Sequence, residues 1–140
     1  MADTGRENEQ QSATEPRDPQ WATSPAGKYY RLVQLDPTKA GLKGVPAVFV
    51  IWHSGVRPRW VYVGRTENLA ASVEIISNND DIMQYEVNGG LFITWSLVRQ
   101  KMQPGVIEYL TTVLDPLVAS PGGSGKRVPP IPVLVPGIKS

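Results

Sequence analysis

The chain contains no cysteine, which excludes a disulfide framework, a thiolate metal site and a cysteine nucleophile, and fits a reducing compartment. An excess of one charge is missing too. The 14 Lys and Arg stand against 13 acidic residues for a net charge of +1, so no bulk attraction to nucleic acid or anionic lipid is implied. Between Met1 and Gln20 there is no apolar run of signal-peptide or membrane-spanning length, and the chain reads as soluble and cytoplasmic, with no membrane partner. No internal repeat is present. With 140 residues, the chain has room for one ordinary domain and not for two.

What is present is unevenly spread, for the 13 Pro and 13 Gly crowd towards the ends. Residues 1–27 are polar, with Trp21 as the one aromatic; such a segment buries too little surface to offset its ordering entropy and reads as disordered. A domain over 28–119 follows. Residues 120–140 read as a flexible Gly- and Pro-rich tail. In it Gly125-Lys126 is not a phosphate-binding loop, because Ser120 stands where the opening glycine belongs and Arg127 where a hydroxyl belongs. Lys126 through Pro132 fits a basic-x-x-Pro-x-x-Pro pattern, which makes residues 126–136 a candidate arm for a protein partner. Val133-Leu134-Val135 is suited to adding a strand to that partner.

Within the domain, Tyr29–Leu35 is a strand ended by Asp36-Pro37, an extra N-terminal edge strand. Pro46–Trp52 and Arg59–Gly64 are apolar, β-branched runs joined by His53–Pro58, which reads as an antiparallel hairpin. Thr66 stands at an N-cap position, with Glu67 in the first turn and Leu69, Ala70, Val73 and Ile76 at helical spacing. Asn78-Asn79-Asp80 ends that helix and caps a short second one through Ile82, Met83 and Tyr85. Asn88-Gly89-Gly90 turns the chain into a strand over Leu91–Val98. Pro104 opens a last helix with Ile107, Leu110, Thr111 and Leu114 on one face, closed by Asp115-Pro116. The expected fold class is α/β, of the α+β type: a small three-stranded antiparallel sheet flanked by helices, in the order β-β-α-(α)-β-α.

Val48-Phe49-Val50-Ile51, followed by Tyr62-Val63-Gly64-Arg65-Thr66-Glu67-Asn68-Leu69, resembles the paired motifs of the GIY-YIG nuclease superfamily. Val106-Ile107-Glu108-Tyr109-Leu110 with Asp115-Pro116 is similar to that family's last helix, and the likeness covers residues 45–118. It implies a metal-dependent endonuclease ancestry in which Tyr62 matches the tyrosine of the second motif and Glu108 the glutamate that holds Mg²⁺ or Mn²⁺. The resemblance also shows losses. The first motif's glycine and tyrosine fall at Ala47 and Phe49, and the helix arginine that would stabilise the scissile phosphate falls at Ser72. A catalytically incomplete nuclease relative is therefore expected, with Tyr62 and Glu108 as residual catalytic positions.

Arg57, Arg59 and Arg65 cluster in sequence around the second strand of the hairpin, and they are the candidate DNA contacts, weak and indifferent to sequence. The competing expectation is a non-catalytic protein-binding or assembly module acting through the sheet and the Pro-rich tail. His53 has no partner in sequence for a triad or a metal set and is expected in the solvated hairpin turn. Trp52, Trp60 and Trp95 are expected to serve the sheet and core, since stacking on a base requires exposure.

Overall fold

A computed structural model of the protein describes residues 17–119 and 128–137. Most of the expected disordered segment (1–16) and the glycine-rich joint with Gly125-Lys126-Arg127 lie outside the described residues. The strands are β1 (Tyr30–Arg31), β2 (Ala47–His53), β3 (Arg59–Thr66) and β4 (Leu91–Ser96); the α-helices are α1 (Leu69–Ser77), α2 (Asp80–Met83) and α3 (Gln103–Leu114). All pairings are antiparallel in one open sheet of order β1-β4-β2-β3. The result is a small mixed α/β domain, a four-stranded sheet flanked by three helices. Among the described residues no helix is long and apolar enough to cross a membrane.

Strand β2 lies at the centre with every residue buried, which explains its unbroken apolar run: a strand covered on both faces has no polar side to alternate. Odd-numbered Phe49 and Ile51 point into a core with Leu69, Val73 and Ile76 of α1, Ile82 of α2 and Ile93 of β4. Even-numbered Val48, Val50 and Trp52 point the other way, into a core with Val63 and with Val106, Leu110 and Leu114 of α3. A bulge sits where Ile51 pairs with Tyr62 but Trp52 pairs with Trp60. Val61 is the extra residue, so Val61 and Tyr62 both turn towards the α1 side.

Three local expectations differ from the structure. The strand expected over Tyr29–Leu35 is confined to Tyr30–Arg31, after which Leu32–Gln34 coils into a 3₁₀ turn that buries Leu32 in the first core. The cap of α1 is Asn68, not Thr66: the Asn68 side chain accepts from Ala71 N–H and also from Gly44 N–H at 2.9 Å. Thr66 lies two residues before the cap, its hydroxyl accepting from Asn68 N–H at 2.9 Å and from the Ser72 hydroxyl at 2.7 Å. The last strand stops at Ser96 rather than Val98, since Val98 N–H turns back onto the Ser96 carbonyl at 2.9 Å; Gln103 donates to the Val98 carbonyl at 3.0 Å.

The described parts of the two ends lie on the domain. Ala22 N–H donates to the Trp95 carbonyl at 2.9 Å, the Thr94 hydroxyl to the Ala22 carbonyl at 2.6 Å, and the Ser96 hydroxyl to the Pro19 carbonyl. Trp21 donates its indole N–H to the Leu134 carbonyl at 2.7 Å, and Arg17 makes a parallel bridge with Val133. Val133 is 5% exposed within the α3 core. Ile131 N–H donates to the Gly105 carbonyl at 2.9 Å. A side chain on Gly105 would meet Ile131 Cδ1 at 2.6 Å, so this glycine is what lets the tail lie on α3.

Candidate functional site

The two hairpin motifs meet as neighbours. Phe49 pairs with Gly64 across the ladder, and the Phe49 and Tyr62 rings stack with centroids 5.9 Å apart. A β-carbon on Gly64 would come within 2.5 Å of Phe49 Cζ, so the glycine serves ring packing here. Ser72, where the resemblance would place an arginine, donates its hydroxyl to that of Thr66 and offers no cation. Tyr62 is half-buried and packs on the α1 side of the sheet.

Glu108 is on α3, the helix that covers the opposite face. It lines a groove of about 440 Å³ with Tyr109, Thr112, Val113, Val128 and Pro130, between α3 and the C-terminal segment. The structure therefore does not bring Tyr62 and Glu108 to one concavity. Glu108 is the single carboxylate of that groove, and among the described residues no three His, Cys, Asp or Glu side chains converge on a point. An Mg²⁺ or Mn²⁺ ion at Glu108 would take its remaining ligands from phosphate and water.

The arginines divide differently. Arg57 and Arg59 are exposed and flank an open cleft of about 790 Å³, made by the hairpin loop on one side and by Val87, Asn88 and Gly89 on the other. Arg65 pairs opposite Val48, while Arg59 pairs opposite His53. At about 3.3 Å of rise per residue, Arg65 stands roughly 20 Å along the strand from Arg59. The sequence cluster thus becomes a pair and an outlier.

The cleft is held together by backbone contact between its two walls. Ser54 N–H donates to the Gly90 carbonyl at 3.2 Å and the Ser54 hydroxyl to the Gly89 carbonyl at 2.8 Å. A β-carbon on Gly89 would meet the Ser54 carbonyl oxygen at 2.7 Å, and Gly89 has φ of +86°; both steric room and backbone sign call for glycine. The Asn88-Gly89-Gly90 signal in the sequence marked this turn, but not that it is pressed against a loop over thirty residues away.

His53 ends β2 rather than sitting in the turn, and it is 6% exposed. Its ring stacks on Tyr85 at 5.9 Å, and its Nδ1 accepts from Gly55 N–H at 3.3 Å. Burial, and then the Arg59 guanidinium nearby, hold its pKa below the ordinary 6.5. The floor of the cleft is therefore a neutral imidazole, with the positive charge on its rim. Among the described residues no carboxylate lines the cleft. Comparison with protein families, curated proteins and solved structures gave no match.

Proposed function

We propose that this domain is a non-catalytic relative of the GIY-YIG nucleases that binds DNA weakly and without sequence preference through the Arg57–Arg59 cleft. The observation that carries it is two exposed guanidinium groups on the rim of an open cleft that, among the described residues, no carboxylate lines. Supporting the family reading are the strand order β4-β2-β3, with the two motif strands as its hairpin. Against catalysis stand Phe49 in place of a hydroxyl, Ser72 in place of a cation, and the separation of Tyr62 from Glu108 by the sheet. The absence of one preorganised charge-stabilising group typically costs about 10²- to 10³-fold in rate.

Anisotropy of a labelled duplex tests the binding. Two phosphate contacts give a log–log salt slope near −2, from about −0.9 per phosphate on duplex DNA. Arg57→Ala with Arg59→Ala should abolish binding, and Arg65→Ala should change it little. Tight sequence-selective binding, or a double variant that binds as well as the parent, sinks the proposal. In the same series, plasmid cleavage with Mg²⁺ or Mn²⁺ should not exceed that of Glu108→Ala.

The second reading, a protein-binding module using residues 126–136, is favoured by the exposure of Leu134 and Val135 beside the bridge at Val133. In the structure Val133 and Ile131 already face the domain's own α3, so a partner on this reading adds to the outer edge of the docked tail. Loss of partner capture in Leu134→Asp with Val135→Asp, at unchanged DNA binding, separates it from the first.

A further inference from the structure

Next to the arginine cleft lies a second cavity of about 560 Å³, within the range of small-ligand sites of about 300–1,000 Å³. Its walls include Lys28, Tyr29, Arg31, Trp52 and Phe92, and Ser54 lines both cavities. Ser54, just past the end of β2, is the one residue that lines both, so the two openings adjoin at that end of the sheet, the aromatic one on the α3 side and the His53 one on the other. No carboxylate is among the lining residues of either.

The chemistry of this cavity is aromatic, and its rings are not equally available. Trp52 is 3% exposed, met edge-on by Tyr29 at 4.9 Å and faced by Phe92 at 6.0 Å. Phe92 carries the Arg31 guanidinium 5.5 Å from its centroid. Tyr29 and Phe92 are both half-buried; with the Arg31 guanidinium already over Phe92, Tyr29, which meets Trp52 edge-on, is the ring assigned to a ligand. Arg31 is bound to Glu86 at 2.7 Å and its charge is thereby offset. Lys28, exposed, supplies the positive charge on this side, as Arg57 and Arg59 do on the other.

Apolar surface also borders the cations. Val56 and Val87 project from the two walls of the arginine cleft, and each is almost wholly exposed. A duplex presents phosphates and sugars outward and hides its bases, so it satisfies the cations but leaves Tyr29, Val56 and Val87 without partners. An unpaired strand offers both chemistries at once, because every base has a face to stack and every linkage a charge. We propose that this surface takes single-stranded nucleic acid, with one unstacked base against Tyr29 and the flanking phosphates on Lys28, Arg57 and Arg59. This rests on the reading of the Arg57–Arg59 cleft given above and specifies the form of nucleic acid it holds.

The test uses the full chain and three labelled probes at equal salt: an oligothymidine strand, its duplex with oligoadenosine, and an abasic strand of the same length. The thymidine strand should bind about tenfold or more tighter than the abasic strand, and also tighter than the duplex, since stacking one base is worth about that factor. Tyr29→Ala should bring the thymidine strand down to the level of the abasic one and leave duplex binding as it was, while Tyr29→Phe keeps the preference. Equal affinity for all three probes, lost together in the Arg57 and Arg59 double variant, overturns the single-strand assignment and leaves the duplex reading standing. No binding of any probe overturns both. The abasic comparison needs no substitution, so it decides the matter even if Tyr29→Ala fails to fold.

Discussion

The two faces of the sheet are closed by different kinds of sequence. One is covered mainly by α1 and α2, which follow β3 directly in the chain, with Leu32 and Leu42 from the stretch before β2 added, and its core is built of Leu69, Val73, Ile76 and Ile82 against Phe49 and Ile51. The other is covered by α3 together with two segments from far apart in the chain, around Trp21 and around Ile131 to Val133. The first face is closed mainly by helices, and its His53 end opens on the arginine cleft. The second keeps the aromatic cavity at its margin, where the terminal segments rather than a helix form the wall. Where helices cover the sheet its rings pack inward, and rings and cations come to the surface at the end of the sheet where loops and terminal segments form the walls.

The sharpest break of this comparison is a truncation on each side. Leu69→Ala removes a fully buried side chain from α1 and should cost about 2–5 kcal/mol. Ile131→Ala on the half-buried tail should cost below about 2 kcal/mol, since less area is lost and the segment can settle. Thermal or urea unfolding measures both. Should Ile131→Ala destabilise as much as Leu69→Ala, the tail is an integral core element and the contrast between the faces fails.

Next in size is a pair of glycines. Gly64→Ala drives a methyl into Phe49 and Tyr62 on the first face and should cost about 1–3 kcal/mol by overpacking. Gly105→Ala drives one into the Ile131 side chain and towards the Pro129 carbonyl, but the helix gains up to about 1 kcal/mol in propensity. The melting temperature should barely move while protease cuts the tail faster. Unchanged tail protection in Gly105→Ala would mean that Ile131 moves aside without undocking.

How much of this was legible follows the same division. The hairpin, the two-sided burial of β2, the helix after β3 and the Pro104 start of α3 were all readable, because each depends on residues within a few positions of one another. The docking of Trp21 and Val133 was not, since a polar, Pro-rich segment looks the same to composition whether or not a distant carbonyl awaits its indole N–H. Of the three arginines grouped in the sequence, Arg57 and Arg59 line one cleft. Arg65 was grouped with them by sequence distance, which a straight strand converts into separation. Tyr29 gave no functional signal, because an aromatic at a strand end reads as packing until the exposure of each ring is known.

The cap of α1 offers a smaller effect that tests local against non-local bonding. Asn68→Ala removes an acceptor used by both Ala71 and Gly44, and should cost about 1 kcal/mol, within the usual 0.5–2 for a cap. Thr66→Val keeps the shape and loses the bonds to Asn68 and Ser72; it should cost less, because those groups remain near solvent. The reverse ranking by urea unfolding would restore Thr66 as the residue that starts the helix.

The smallest expected effect is carried by His53, between the first core and the open cleft. Burial and the Arg59 charge lower its folded pKa below 6.5, while the unfolded chain keeps the ordinary value. Above that value both states are neutral and the group contributes no pH dependence. As pH falls through 6.5, the unfolded chain binds a proton that the folded one resists, so stability declines until the folded imidazole also titrates. The effect is bounded by one proton. Unfolding midpoints should therefore drop between about pH 7.5 and 5.5, before most carboxylates titrate. His53→Asn, which retains an acceptor for Gly55 N–H, should flatten that slope. A midpoint that rises on acidification, or a decline that persists unchanged in His53→Asn, would show that another group governs this range and that the neutral floor assigned to the cleft is wrong.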